Sequence, residues 1–127
     1  RPVGVGYGLE RDEAFQKVTG DDVESDRSQW DQVYDQENYV YGKEPAEVLV
    51  EVIDQLPVGR ALDIAMGEGR NAVFLAKKGF VVDGVDLSEV AIRKAKRLAK
   101  ENKVEIATVA ADLNTYQIKP DTYEVIL

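Results

Sequence analysis

The sequence predicts an α/β fold, a Rossmann-like three-layer sandwich in which helices flank a parallel sheet. Two observations predict it: apolar runs of strand length alternate with helical segments from residue 60 onward, and a glycine turn joins the first run to a helix. Parallel strands need right-handed crossovers, so this alternation gives a β-α-β order. Four strands can be counted and the last run stops at residue 127, so we expect only the N-terminal half of such a domain.

The elements follow from local patterns along the chain. Residues 1–29 carry no sustained apolar period, and we expect a polar, flexible N-terminal extension ahead of a domain spanning residues 30–127. A helical face includes Trp30, and a second helix begins near Pro45. Further strands are predicted at residues 60–65, 80–85, 104–110 and 123–127, with helices at 71–78 and after the N-cap Ser88. In that last helix a solvated basic face is predicted for Arg93, Lys94, Lys96, Arg97 and Lys100.

Composition restricts the classes of function. The chain has 24 acidic and 16 basic residues, a net charge of −8, and neither histidine nor cysteine. A negative field repels phosphate backbones and anionic lipids, so we expect no nucleic-acid partner and no membrane. The missing residue types remove disulfides, thiol nucleophiles, imidazole bases and the usual zinc sites, so no metal is expected. No signal peptide or apolar span is visible, which favours a cytoplasmic protein.

The candidate ligand site is a Gly-x-Gly-x-x-Ala turn at residues 67–72. A strand-turn-helix junction leaves unpaired backbone N–H groups beside glycines that let a ligand approach closely. In open parallel sheets the ligand binds beyond the carboxyl ends of the strands. Asp63, Asp86 and Asp112 each stand near such an end, so the sequence predicts a nucleotide-like cofactor at this edge.

Two classes of cofactor are candidates for this turn. A nicotinamide dinucleotide (NAD) carries a pyrophosphate, which Asp63 and Glu68 would repel. S-adenosylmethionine (SAM) has no phosphate and carries a cationic sulfonium and amino group, which these acids attract. Asp86 can accept hydrogen bonds from ribose hydroxyls in either class, and Asp112 can accept from an adenine amine. The residues therefore favour SAM, with an NAD-binding oxidoreductase as the alternative.

These residues also carry a family resemblance. The run from residue 61 to 76, with Gly-Glu-Gly-Arg-Asn-Ala at 67–72, resembles motif I of class I SAM-dependent methyltransferases, in the form of the tellurite-resistance and thiopurine methyltransferase-like branch. Residues 85–88 resemble the acidic motif of the family's second strand, and 111–113 resemble its adenine-contacting motif. Upstream, the aromatic segment, residues 30–45, is similar to the cover over the cofactor in that branch.

The resemblance implies methyl transfer from SAM to a small-molecule acceptor, with catalytic residues unassigned. The cofactor-binding residues expected from the residues and the resemblance together are Tyr34, Tyr41, Gly42, Asp63, Ala65, Gly67, Gly69, Asn71, Asp86, Leu87, Asp112 and Leu113. Capping, turn or core roles are the alternatives for many of them. A non-catalytic truncated SAM-binding module is a further alternative, and an open sheet edge at the fourth strand would allow self-association.

Overall fold

The computed structural model describes residues 3–4 and 23–127 and contains a parallel five-stranded sheet, ordered β1-β5-β2-β3-β4. The strands are β1 (Val3–Gly4), β2 (Arg60–Ile64), β3 (Val81–Asp86), β4 (Ala107–Ala110) and β5 (Val125–Ile126). The helices are α1 (Val23–Tyr34), α2 (Glu47–Val52), which continues as a 3-10 turn (Ile53–Gln55), α3 (Arg70–Lys77) and α4 (Glu89–Glu101). The predicted α/β fold with a parallel sheet and flanking helices is confirmed.

The two faces of the sheet are covered differently in the described part of the chain. Ala61 and Val82 point to one face, where they pack with buried residues of α2, α3 and α4. Leu62 and Val85 point to the other face, where they pack with Tyr123 and with side chains of the segment after β4. The alternation follows from the strand period of two. Among residues 23–127, no helix combines the length and apolar character needed to cross a membrane.

Two strands begin later than the sequence predicts, because the preceding helix ends use the intervening residues. The Phe80 N–H donates to the Leu75 carbonyl over 3.1 Å, and the Val104 N–H donates to the Ala99 carbonyl over 3.0 Å. Such bonds, spanning five residues, satisfy helix carbonyls that have no partner inside the helix. Strand β3 therefore begins at Val81, and β4 begins only at Ala107.

The first helix begins at Val23, ahead of Trp30. Residues 23–29, expected in a polar extension, are thus helical, because the buried positions Asp26, Trp30 and Tyr34 recur at helical spacing. Trp30 and Tyr34 pack against Leu87, which directly precedes the N-cap of α4. The division of the chain at residue 30 stays a prediction, and residues 1–2 and 5–22 lie outside the described residues.

The strand expected at an open edge lies inside the sheet. Val125 of β5 pairs with Val3 of β1 on one side and with Ala61 of β2 on the other. The expected open edge at this strand was therefore wrong, since both neighbouring positions of β5 are filled within the chain, and self-association stays a prediction. The outer strands of this sheet are β1 and β4.

A polar cluster stands on the face of the sheet away from the helices. The Tyr123 hydroxyl donates to Asp83 Oδ2 over 2.6 Å, and Arg60 Nη2 lies 3.0 Å from the same oxygen. Burial and this hydrogen bond to a carboxylate raise the pKa of Tyr123 to about 12. The cluster joins β2, β3 and the segment before β5.

Candidate functional site

The glycine turn after β2 is built from residues with left-handed backbone conformations. Ala65, Gly67 and Gly69 have φ values of +56°, +58° and +88°. The left-handed conformation costs a residue with a side chain roughly 1–2 kcal/mol, so Ala65 is a strained position. Between them the Met66 N–H donates to the Val85 carbonyl over 3.0 Å, which turns the chain back onto β3.

Asp86 connects this turn to the end of β3. Its Oδ2 accepts from the Gly67 N–H over 2.8 Å, and its Oδ1 accepts from the Ser88 N–H over 2.9 Å. The Asp86 backbone carbonyl also accepts from the Ala111 N–H over 3.0 Å. The ends of β2, β3 and β4 thus meet, and the structure brings the glycine turn, Asp86 and the neighbour of Asp112 together at one edge.

Close packing against α4 requires a glycine at position 69, and the sequence alone did not indicate this. A Cβ at Gly69 would lie 2.7 Å from the Ala95 Cβ of α4, closer than real carbon contacts allow. The missing side chain therefore lets α4 pack against the start of α3. The expected close approach of a cofactor is not needed to explain this glycine, and its cofactor contact stays a prediction.

The buried acid and amide beside the turn differ in their surroundings. Asp63 is fully buried on β2, in register with Gly84 of β3. Asn71 is also fully buried, and its Oδ1 accepts from the Ala46 N–H over 2.8 Å, which anchors the start of α2. The Asn71 Nδ2 has no hydrogen-bond partner among the described residues. Asn71 therefore has a structural role and also a donor that is still available.

Glu68 does not present the bare negative charge that was expected to repel a pyrophosphate. Its Oε2 lies 2.5 Å from Lys94 Nζ of α4, and both side chains are buried. Lys94 was predicted on a solvated basic face, and this prediction was wrong. The signal was present: Lys94 is three residues after the buried Ala91 and four before the buried Leu98, which places it on the apolar stripe.

The aromatic segment packs against the end of β3 and the start of α4. The Tyr34 ring is buried and stacks on Trp30 at 5.7 Å between centroids, with Leu87 beneath it. Tyr41 meets the Tyr34 ring edge-on at 6.4 Å. Tyr34 and Leu87 are therefore core residues in this structure, which makes their predicted cofactor contacts harder to realise. Gly42 has φ +79° and open space at its Cβ position.

The two residues predicted to bind the cofactor after β4 have different surroundings. Asp112 organises a turn: its Oδ1 accepts from the Asn114 N–H over 2.9 Å, and its carbonyl accepts from the Tyr116 N–H over 2.9 Å. Leu113 packs on the sheet face away from the helices, next to Leu62 and Val85. Both residues are half-buried, but Asp112 lies near the edge where a ligand is expected, whereas Leu113 packs against a core cluster.

The part of the chain that builds this site matches a known family. A family described as "Methyltransferase domain" matches residues 61–127, which run from β2 to the end of the chain. The 23S rRNA (uracil(747)-C(5))-methyltransferase of Pyrococcus abyssi is 30% identical over 81 residues, 63% of this chain and 19% of the relative. The tRNA (uracil(54)-C(5))-methyltransferase of Pyrococcus horikoshii is 44% identical over 66 residues, 50% of this chain and 16% of the relative.

A solved methyltransferase structure is also similar to this chain. The Pyrococcus abyssi tRNA (uracil-54, C5)-methyltransferase, in complex with S-adenosyl-L-homocysteine, superposes with a TM-score of 0.55 at 26% identity, over 62% of this chain and 20% of that one. The chain thus spans no more than about a fifth of the length of these relatives.

The expectation of no nucleic-acid partner was wrong, because these relatives are named as methyltransferases of rRNA and tRNA. Net charge is a poor guide to such partners, since salt screens charges beyond about 8 Å at physiological ionic strength. A chain of net charge −8 can still carry a locally basic surface.

Proposed function

The chain belongs to the methyltransferase domain family, and from that premise we propose that the whole protein transfers a methyl group from SAM to an acceptor. The expectation of SAM as cofactor, rather than NAD, is confirmed by this family and by the solved relative that holds S-adenosyl-L-homocysteine. The observation that carries the proposal is the hydrogen bond from the Gly67 N–H to Asp86 Oδ2, which joins the glycine turn to the last residue of β3.

The residues at the sheet edge fit this cofactor. A carboxylate oxygen has two acceptor sites, so Asp86 can hold the Gly67 and Ser88 amides and still accept from ribose hydroxyls. Asp63 adds a second carboxylate to an edge where a cation would be stabilised. The buried Asn71 Nδ2 offers a donor that no described residue uses. SAM supplies a methyl group on a sulfonium, and this chain orients it and keeps water away.

The identity of the methyl acceptor is a second, more specific part of the proposal. A small-molecule acceptor rests on the resemblance of residues 67–72 to the tellurite-resistance and thiopurine branch, and membership of that branch is likewise a proposal. A cytoplasmic location also stays a prediction.

A base in RNA is the second candidate acceptor, favoured by the relatives and by the surface of α4. Exposed cations of α4 recur at i, i+3, i+4 and i+7 and therefore share one face. They are Arg93, Lys96, Arg97 and Lys100, and the exposed Lys103 continues them beyond the helix end. Such a stripe can contact successive phosphates of an RNA backbone.

Calorimetric titration of the full-length protein with S-adenosyl-L-homocysteine and with NAD tests the cofactor. We expect saturable binding of the first ligand and none of the second, and binding of NAD alone would contradict the proposal.

Transfer of radiolabelled methyl groups from SAM then tests the acceptor, with RNA and a set of small thiols as separate substrates. Label in RNA that nuclease digestion releases supports the RNA acceptor. Cofactor binding without transfer to any acceptor supports a non-catalytic module.

A further inference from the structure

Lys94 is a buried cation to which the proposed function gives no task. The side chains of Lys94 and its partner Glu68 are only 6% and 2% exposed. A lysine in the middle of an apolar helix face needs partners for its charge and for all of its donors. The structure supplies those partners from two separate parts of the chain.

The first set of partners belongs to the aromatic segment. Lys94 Nζ donates to the backbone carbonyls of Tyr34, over 3.0 Å, and of Asn38, over 2.7 Å. The ammonium also lies 5.0 Å from the centre of the Tyr39 ring, whose hydroxyl donates to the Lys94 carbonyl over 2.9 Å. One residue of α4 thus holds both ends of the stretch 34–39.

The second partner belongs to the glycine turn. Glu68 Oε2 lies 2.5 Å from Lys94 Nζ, and Glu68 Oε1 accepts from the Tyr41 N–H over 3.3 Å. Glu68 stands between the two glycines of the turn, so the pair connects the turn directly to residues 34–41 of the aromatic segment. The ammonium thus forms an ion pair with Glu68 and hydrogen bonds with the carbonyls of Tyr34 and Asn38.

The free-energy cost of burying two charges indicates that this pair positions neighbouring groups rather than stabilising the fold. Removing two charges from water costs several kcal/mol per ion, and apolar residues of similar volume often stabilise a fold equally well or better. What apolar residues cannot do is fix two carbonyls, an amide and a carboxylate in one geometry. The distinctive property of the pair is therefore the placement of the aromatic segment on the turn.

We propose that Lys94 and Glu68 are positioning residues that hold residues 34–41 against the glycine turn and thereby set the affinity for SAM. This inference rests on the proposed function, since it requires that SAM binds at the turn. The pair does not contact the methyl group and takes no part in its transfer.

The test compares the variants Lys94→Met and Glu68→Gln, singly and together, in the full-length protein. Lys77→Met is the matched control, because Lys77 is an exposed lysine of the neighbouring helix α3 and belongs to neither the turn nor the basic stripe. Each variant is measured by thermal unfolding, by calorimetric titration with S-adenosyl-L-homocysteine, and by hydrogen exchange of residues 34–41 without ligand.

A single substitution leaves one buried charge unpaired, so both single variants lower the unfolding temperature. The double variant removes both charges, and we expect its unfolding temperature to recover. Its S-adenosyl-L-homocysteine affinity stays about tenfold weaker, a loss of about 1.4 kcal/mol, because the anchors of Tyr34 and Asn38 are still missing. Exchange in residues 34–41 stays faster than in the wild type, and the control matches the wild type in all three measurements.

An affinity that recovers together with the unfolding temperature would overturn the proposal, since the pair would then be structural only. Unchanged exchange in residues 34–41 would also overturn it. If the wild type binds no S-adenosyl-L-homocysteine, the proposed function fails, and with it the effect on affinity. The exchange measurement still decides whether the pair holds the segment, so the two failures are distinguishable.

Discussion

The backbone N–H of Gly67 and the Oδ2 of Asp86 are 2.8 Å apart, so the glycine turn and the end of β3 form one hydrogen-bonded unit. An acid that could have acted only on a ligand therefore also maintains the shape of the turn. Substitutions at this position act on stability and binding together, and the two effects have to be measured separately.

Asp86→Ala removes the acceptor of two buried amides, those of Gly67 and Ser88. Each unsatisfied donor costs roughly 1–3 kcal/mol, so we expect the free energy of unfolding to fall by about 3 kcal/mol in urea titrations. Asp54→Ala, at an exposed aspartate of the 3-10 turn, is the control and should change little. A loss at Asp86 no larger than the control's would contradict the bonding described.

Gly69→Ala and Gly42→Ala separate steric contact from backbone strain. Both glycines have positive φ, +88° and +79°, but only a Cβ at Gly69 would collide, with Ala95. Strain alone costs about 1–2 kcal/mol, and overpacking adds about 1–3 kcal/mol. We expect the larger loss of stability in Gly69→Ala, measured by chemical denaturation.

Ala95→Gly introduced into the Gly69→Ala variant should recover the steric part of that loss. Equal losses at the two glycines, or no recovery in the double variant, would show that α4 does not pack as closely as described. The Gly42→Ala variant should respond to Ala95→Gly only through the intrinsic loss caused by a helix glycine, about 1 kcal/mol.

Ser88, the N-cap of α4, and Asp31 of α1 form a hydrogen bond whose interaction energy a double-mutant cycle can measure. The Ser88 Oγ accepts from the Ala91 N–H over 3.1 Å and donates to Asp31 Oδ1 over 2.6 Å. Ser88→Ala removes a helix cap and this bond, and we expect a loss of about 2 kcal/mol. After Ser88→Ala, Asp31→Ala should cost less than it does alone. Strict additivity would indicate that the two side chains do not interact.

Tyr123→Phe tests the pH dependence of stability. Because the pKa of Tyr123 is raised from 10.0 to about 12, the native state favours the neutral phenol. The stability from this group is therefore fully present below pH 10 and is lost as the pH rises from 10 to 12. We expect the variant to be less stable near neutral pH by about 1–2 kcal/mol, through the lost bond to Asp83.

The wild type should also lose stability more steeply than Tyr123→Phe between pH 10 and 12, as denaturant midpoints at each pH would show. Tyr116→Phe is the control for the loss of a phenol from the same face of the sheet. Parallel pH profiles of the wild type and Tyr123→Phe would refute the role of the Asp83 bond.

The sequence predicted the central strands and helices well, because their signals are local. Apolar runs and glycine turns placed β2, β3 and α3 within a residue or two, and Ser88 caps α4 as expected. The strand ends were less accurate, since helix-terminating bonds such as Val104 to Ala99 depend on backbone geometry. Pairing of β1 with β5 joins residues more than a hundred positions apart, which no local pattern reveals.

The site was predictable where residue type alone determines the chemistry. Asp86 and the glycine turn could be brought together from their positions after adjacent strands. Lys94 could not be paired with Glu68, because their contact depends on how close α4 approaches the turn. That approach is set by Gly69 and Ala95, whose joint effect is visible only in three dimensions.

Trp30 is the only tryptophan among the 127 residues, and its indole stacks on Tyr34 in the buried cluster beside Leu87. The tryptophan fluorescence of the chain therefore originates at one place, where α1 meets the start of α4. An emission maximum in the blue, shifting to the red on unfolding, would report the docking of this helix without any label. The same signal can follow the aromatic segment in real time while a ligand is added.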